Sequence, residues 1–316
     1  MSVVARPLGL ADDVISGLRD TPKRLPCRLL YDAVGADLFE QITQLDAYYP
    51  TRTELGLLDA HLPAIARAVG SRARVIEPGS GAGIKTRRLL AALDRPASFV
   101  AIDVSREQLA VTTRRIHDEH PDLEVEAVAA DFTRAFTLPR PRCAVGRSLV
   151  FFPGSTIGNF EPSEAVTFLA RFQRLAGPTG VLLLGADGTR HREVLVRAYD
   201  DEQGVTAAFN KNVLAHLNRA RGAAFDLDGF DHRAVWDEPR SRVEMQLVSR
   251  RAQIVTIDDE RVHLAPGEPI VTEYAYKHSS LAMRGILATA GWLVREVYTG
   301  ALHPMRLWLC DAVRPR

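Results

Sequence analysis

The stretch LVFFPGSTIGNFEP, Leu149 to Pro162, starts as an apolar strand and then breaks into a turn in which Gly154, Thr156 and Asn159 offer a bare backbone, a hydroxyl and an amide. Such groups can hold the polar ends of a small ligand, although an ordinary turn would spend the asparagine on its own backbone. A second chemical segment lies upstream. VIEPGSGAGIKT, Val75 to Thr86, sets glycines at 79, 81 and 83 between a strand and a helix, where a backbone without Cβ lets a ligand approach. A dinucleotide fingerprint would put its third glycine three residues after the second. Ile84 stands there instead, which argues against NAD.

Glu77, ahead of the glycines, and Asp103, 26 residues later at the end of the next strand, suit a ligand with an amino acid end and a ribose diol. Asp131 and Phe132, closing the third strand, suit an adenine: an acceptor for its amino group and a ring to pack on it. Ser80 and Lys85 fall within the same glycine segment. A glycine loop alone is no more than a tight turn with solvated carboxylates. Acidic residues at successive strand ends turn the reading toward a nucleotide-like cofactor.

The elements that must position these groups alternate. ARVIEP, ASFVAIDVS, LEVEAVAADF, SLVFFPGST and GVLLLGAD read as strands, and IKTRRLLAAL, REQLAVTTRRIHDEH and SEAVTFLARFQRLA as helices, with Ser105 placed to cap the second. The pattern predicts an α/β fold, a parallel sheet covered by helices on both faces. From about Glu193 to Lys277 the pattern changes to a long helix broken near Gly204, followed by RVEMQLVSRRAQIVTI and IVTEYAYKHS, which read as antiparallel, half-exposed strands of a second lobe. The chain then returns to a helix, LAMRGILATAG, and a strand pair, WLVREVYTG and MRLWLCDAV. The second lobe therefore reads as an insertion.

Together these segments resemble the S-adenosylmethionine-dependent histidine Nα-methyltransferases of ergothioneine biosynthesis. The likeness is carried by YDAVGADLFEQITQLDAYYPTRTE, EPGSGAGIKT, DVS, PGSTIGNFEP, AYDDEQGVTAAFNKNVLAHLNR, FDLDGFDH and EMQLVSRRAQ. It implies a Rossmann-like class I methyltransferase sheet (54–189 and 278–316) with a smaller α+β substrate-binding lobe (1–53 and 190–277). S-adenosyl-L-methionine would be the cofactor, held by Glu77, Gly79, Ser80, Gly81, Gly83, Lys85, Asp103, Asp131 and Phe132. By the same likeness Tyr48 and Asn159 would sit at the amino nitrogen, with Gly154 and Thr156 lining the turn and Tyr31 the cleft. Tyr199 would bind the carboxylate, with Asn210 nearby, and Met245 would line the pocket. In the family a Glu-x-Ser-x-Lys strand reads the imidazole. Here TEYAYK keeps Glu273 but puts Ala275 in the serine position.

The implied activity is Nα-methylation of a free amino acid, L-histidine first, with trimethylation to the betaine. Another aromatic or small amino acid is the alternative that Ala275 raises, and a non-catalytic metabolite-binding protein is the alternative from another class. Composition agrees with a small-molecule substrate. A net charge of +1, with 25% charged and 46% hydrophobic residues, gives no reason to invoke nucleic acid or an anionic membrane. Cys27, Cys143 and Cys310 form no CxxC or disulfide framework, and the nine histidines form no HxxxH, so no metal is expected. The start, MSVVARPLGLADDV, lacks a continuous apolar run, and a cytoplasmic monomer is expected.

Overall fold

The computed structural model describes residues 10–300 and 303–313; most of the opening stretch just discussed lies outside them. In chain order the elements begin with helix α1 (Leu10–Arg19), strand β1 (Lys23–Arg24), α2 (Ala33–Gln44) and α3 (Tyr49–Val69). Alternation follows: β2 (Arg74–Pro78), α4 (Ile84–Ala92), β3 (Ser98–Asp103), α5 (Arg106–Glu119), β4 (Glu124–Ala129), β5 (Ser148–Phe152), α6 (Pro162–Ala176) and β6 (Val181–Asp187). Then come α7 (Arg192–Tyr199), α8 (Val205–Arg221), β7 (Phe230–Asp237), β8 (Arg242–Ser249), β9 (Gln253–Ile257), β10 (Glu260–Leu264) and β11 (Pro269–Tyr276). The chain finishes with α9 (Ser280–Thr289), β12 (Trp292–Thr299) and β13 (Met305–Ala312). Ser105 caps α5, accepting from the Gln108 N–H, and Asp32 caps α2 through the Gly35 N–H.

Two compact units result. One comprises Pro50–Thr189 and the described chain from Lys277 onward; the other comprises the described residues up to Tyr49 and Arg190–Tyr276. The first is built on a seven-stranded sheet in the order β12-β13-β6-β5-β2-β3-β4. In sheet order the strands from β4 to β6 are parallel, while β13 runs antiparallel to β6 and β12 to β13, the latter two joined by a short connection that turns the chain directly back. Alternate residues supply two cores. Val75, Leu149, Phe151 and Leu183 pack with Leu58 and Ile65 of α3 and Leu109 of α5, and Ile76, Val150, Phe152 and Leu184 pack with Phe168 of α6 and Met283 of α9. From β2 the chain winds outward through β3 and β4, then crosses back to β5 on the other side of β2. That reversal leaves a crevice at the carboxyl ends of β2 and β5, where open α/β sheets bind ligands.

The second unit holds the antiparallel strands β7, β8 and β11, edged by β1, and a separate β9–β10 hairpin. The long helix expected after Glu193 is two, α7 and α8, with Gly204 in a left-handed conformation at the start of α8 (φ 74°). The expectation of half-exposed strands fails for β8 and β11, which are buried along most of their length. On the face away from the hydrophobic cluster, the Arg242 guanidinium lies 3.7 Å from the Tyr274 ring centroid, donates to Glu244 and Tyr276, and so closes what would be an open polar side. A bulge interrupts β11. Val271 pairs with Gln246 but Glu273 pairs with Met245, so Thr272 is an extra residue that turns Glu273 and Ala275 onto the face of Met245 and Val243.

Among the described residues no helix is long and apolar enough to cross a membrane. One buried group ties stability of the first unit to pH. Burial, and then the neighbouring Lys277 charge, push the His278 imidazole down to about 4 from its ordinary 6.5. The fold favours the neutral ring, so its contribution is complete above about pH 6.5 and is lost as pH falls toward about 4, amounting to about 3 kcal/mol. Urea unfolding at about pH 7 and about pH 4 is expected to cost the wild type roughly that much more than His278→Gln. Equal losses in both proteins would show that His278 is not the source.

Candidate functional site

In the first unit the glycine segment leaves the carboxyl end of β2 with Gly79, Gly81 and Gly83 all in the left-handed region, at φ 69°, 47° and 70°. A Cβ on Gly81 would meet nothing within 4 Å, whereas one on Gly83 would press on the Thr112 methyl. Gly81 thus marks open approach, and Gly83 a tight contact of the loop with α5. Asp103 closes β3 beside this loop. Its Oδ2 accepts from the Gly81 N–H at 3.3 Å and its Oδ1 from the Ser105 N–H at 3.1 Å, and burial holds its carboxyl above the ordinary value. Each oxygen keeps a further lone pair for a ligand. Glu77 is buried beneath the loop, receives the Thr86 hydroxyl at 2.5 Å, and is pushed by burial up to about 8. The Ser80 Oγ is buried with no hydrogen-bond partner among the described residues. A left-handed glycine cradle, an unmet hydroxyl and a buried carboxyl fit the polar amino acid end of S-adenosylmethionine.

Asp131 lies two residues past β4, its Oδ1 accepting from the Thr133 N–H and hydroxyl. Phe132 packs edge-on against Phe152, Phe160 and Phe168. The turn after β5 is pinned at both ends. Gly154, at φ 86°, donates its N–H to both Glu54 oxygens at 2.9 and 2.8 Å, and Ser155, left-handed at φ 57° without being glycine, accepts from the Asp187 N–H at 3.0 Å. Thr156 returns its hydroxyl to the Pro153 carbonyl, and Asn159 ends a short 3-10 helix, half-buried. Strain of this kind is kept where surrounding contacts over-determine it, a signature of ligand sites. Lys85, from the first turn of α4, forms an ion pair with the same Glu54 carboxylate. Glu54 therefore joins the helix after the glycine loop to the turn after β5.

In the second unit an aromatic cluster gathers the expected tyrosines. Tyr31 stands edge-on to Phe39 and Phe209, Phe39 to Tyr48, and Tyr48 to Tyr199, with centroids 5.4–6.2 Å apart. The Tyr31 hydroxyl donates to Glu273 Oε1 at 3.4 Å, and burial followed by the Glu273 charge holds Tyr31 well above its ordinary value. Met245 is the cross-strand partner of Glu273, and Ala275 lies two residues on, on the same face. Asn210 is fully buried with both amide atoms bonded inside the unit: Nδ2 to the Gln246 carbonyl and His232, Oδ1 from the Thr272 hydroxyl. Among the described residues no group of three or more His, Cys, Asp or Glu side chains could hold a metal ion.

A family model described as histidine-specific methyltransferase, SAM-dependent, matches residues 10–312. The chain belongs to this family. Among its relatives are a histidine N-alpha-methyltransferase of Mycolicibacterium smegmatis, 43% identical over 296 residues and covering 90% of each chain, and one of Mycobacterium tuberculosis, 42% identical over 311 residues, covering 96% of this chain and 92% of that one. Ergothioneine biosynthesis protein 1 of Neurospora crassa is 32% identical over 298 residues, 91% of this chain but 33% of that one. This methyltransferase thus uses S-adenosylmethionine, on the α/β fold that its sequence implies.

The residue that sequence reasoning missed is Glu54. Within PTRTEL it looks like any exposed helical glutamate, yet it is 1% exposed, and a Cβ on Gly185 would overlap its Oε1. Its burial is set by partners about a hundred residues away, which no local pattern displays. Glu54→Gln keeps an acceptor for Gly154 but leaves the Lys85 ammonium without its counter-charge, and is expected to destabilise the methyltransferase by on the order of 3 kcal/mol. Urea unfolding checks this, and a loss below about 1 kcal/mol would mean that the ion pair contributes little.

Proposed function

We propose that this protein transfers methyl groups from S-adenosylmethionine to the α-amino nitrogen of free L-histidine, carrying the product to the trimethylated betaine. The observation that carries the reading is the buried Glu273 carboxylate, held by Tyr31 on the face it shares with Met245, within a chain matched from residue 10 to 312 by a histidine-specific family. A desolvated carboxylate favours a partner with an N–H and penalises an apolar side chain that leaves it unpaired. Imidazole supplies that N–H. Reduced Cys27, Cys143 and Cys310, none of them in a disulfide, support a cytoplasmic setting.

The sulfonium supplies an activated methyl group, which passes to nitrogen as the electron pair of the C–S bond returns to sulfur. The protein's part is to present the nitrogen lone pair in line, and such positioning is worth roughly 7–11 kcal/mol. Tyr48 and Asn159 orient the amino group, Gly154 and Thr156 line the turn, and Tyr199 holds the carboxylate. Asp103 accepts the ribose hydroxyls, Asp131 and Phe132 take the adenine, and Glu77, Ser80 and Lys85 meet the amino acid end of the cofactor. Ala275 lacks the serine hydroxyl of the family strand, which costs one hydrogen bond to imidazole, roughly 0.5–1.5 kcal/mol, without touching the reaction. Another amino acid that Ala275 would admit is the rival outcome.

The deciding experiment offers all twenty amino acids with S-adenosylmethionine and reads products by mass spectrometry. Histidine is expected to gain three methyl groups, and Ala275→Ser to tighten histidine binding several-fold. Methylation of another amino acid while histidine stays untouched would overturn the assignment.

Glu77 yields a second expectation. With its carboxyl at about 8 in the ligand-free protein, it is largely protonated at about pH 7. The cofactor's cationic amino group favours the ionised form, so binding is expected to release up to about one proton at that pH and almost none above about pH 9.5. Calorimetry in buffers of different ionisation enthalpy measures this directly. A binding enthalpy independent of buffer would remove Glu77 from the cofactor's amino end.

A further inference from the structure

FDLDGFDH ends in His232, a residue given no part in the reaction so far. It lies on β7 with its side chain 3% exposed, between two fixed neighbours. Its Nε2 is 2.9 Å from the carbonyl oxygen of Tyr199, and its Nδ1 is 2.8 Å from Asn210 Nδ2. The surroundings decide the proton's place. Asn210 Nδ2 also lies 3.2 Å from the Gln246 carbonyl, which can only accept, and Asn210 Oδ1 receives the Thr272 hydroxyl at 2.5 Å. The amide is therefore fixed with its NH2 toward the ring, so Nδ1 must present a lone pair. The Tyr199 carbonyl also only accepts, so Nε2 carries the hydrogen. Asp200 Oδ1 is 3.7 Å from that nitrogen, beyond a hydrogen bond.

Tyr199 is the last residue of α7, where a carbonyl has no partner within its own helix. The imidazole supplies one. Thr272, Asn210, His232 and Tyr199 thus form one directed chain of hydrogen bonds, anchored at the β11 bulge and ending on the backbone of a tyrosine.

We propose that His232 is a positioning residue for amino acid binding: its Nε2–H holds the Tyr199 backbone, and through it aims the Tyr199 hydroxyl at the substrate carboxylate. The inference rests on Tyr199 holding that carboxylate, as proposed above.

Asparagine in place of histidine has its amide near the Nδ1 position and cannot reach Tyr199, whereas the glutamine amide reaches the Nε2 position and can donate there. His232→Asn is expected to raise the histidine KM about tenfold with the S-adenosylmethionine KM unchanged, and His232→Gln to recover most of that loss. Thr272→Val, which frees the Asn210 amide to turn, is expected to raise the histidine KM about threefold. It serves as the test should His232→Asn not fold. Tyr199→Phe is measured alongside. If Tyr199→Phe leaves the histidine KM unchanged, the reading of Tyr199 falls and this inference with it. If Tyr199→Phe is impaired while His232→Asn, or in its absence Thr272→Val, behaves as wild type, only the inference falls. A parallel rise in both KM values, without rescue by glutamine, would reduce His232 to a structural residue and equally overturn it.

Discussion

A carboxylate removed from water must be answered by donors, and at Glu54 that requirement organises the ligand end of the first unit. Its oxygens take the N–H of Gly154 and the ammonium of Lys85. One donor belongs to the turn after β5 and the other to the helix that follows the glycine loop. Neither segment has much reason of its own to keep its shape, since the turn carries two consecutive left-handed residues and the loop three left-handed glycines. A buried charge lacking either partner would cost several kcal/mol, so the arrangement with both partners in place is strongly preferred. Local strain in the two segments is thereby offset by one shared contact.

On its aromatic face the second unit meets a comparable demand mostly with uncharged parts, its Arg242–Glu244 pair lying on the other face. There aromatic rings fill space, mostly at edge-on geometry, and Thr272, Asn210 and His232 are ordered by direction of donation rather than by charge. Glu273 is the exception, a carboxylate on an otherwise apolar face with a tyrosine hydroxyl toward it. A site built this way suits recognition by complementary hydrogen bonding, where an analogue lacking the matching donor is rejected more strongly than one differing by a methyl group.

Much of this was legible in the sequence because it is written locally. Apolar runs stopped by glycine gave the strands of the first unit, Ser105 announced its helix, and Asp103 and Asp131 marked successive strand ends. What escaped depends on distant partners. Glu54 is indistinguishable in its own helix from a solvated glutamate until Gly154 and Gly185 are placed beside it. The burial of β8 and β11 depends on Arg242 closing over Tyr274, a stack across neighbouring strands that alternation of residue types does not reveal. Asn210 sits in a helical stretch whose spacing says nothing of its direction of donation. His232 carried a signal as the end of a quoted segment, but its tautomer is set by Gln246, fourteen residues on and in another strand.

The extra residue at Thr272 makes β11 a strand with two phases. Before it, even-numbered Ile270 shares the core face with Leu247; after it, odd-numbered Glu273 and Ala275 do. Loss of a single codon there would restore one phase throughout. Glu273 would then follow Val271 directly and still face Met245, and Ala275 would still face Val243; what would go is the Thr272 hydroxyl held toward Asn210 and the Met245 carbonyl. The extra residue thus adds a polar anchor to the strand without altering which side chains follow it on the core face. A chain one residue shorter at this point would present the same surface and lose its hold on the Asn210 amide.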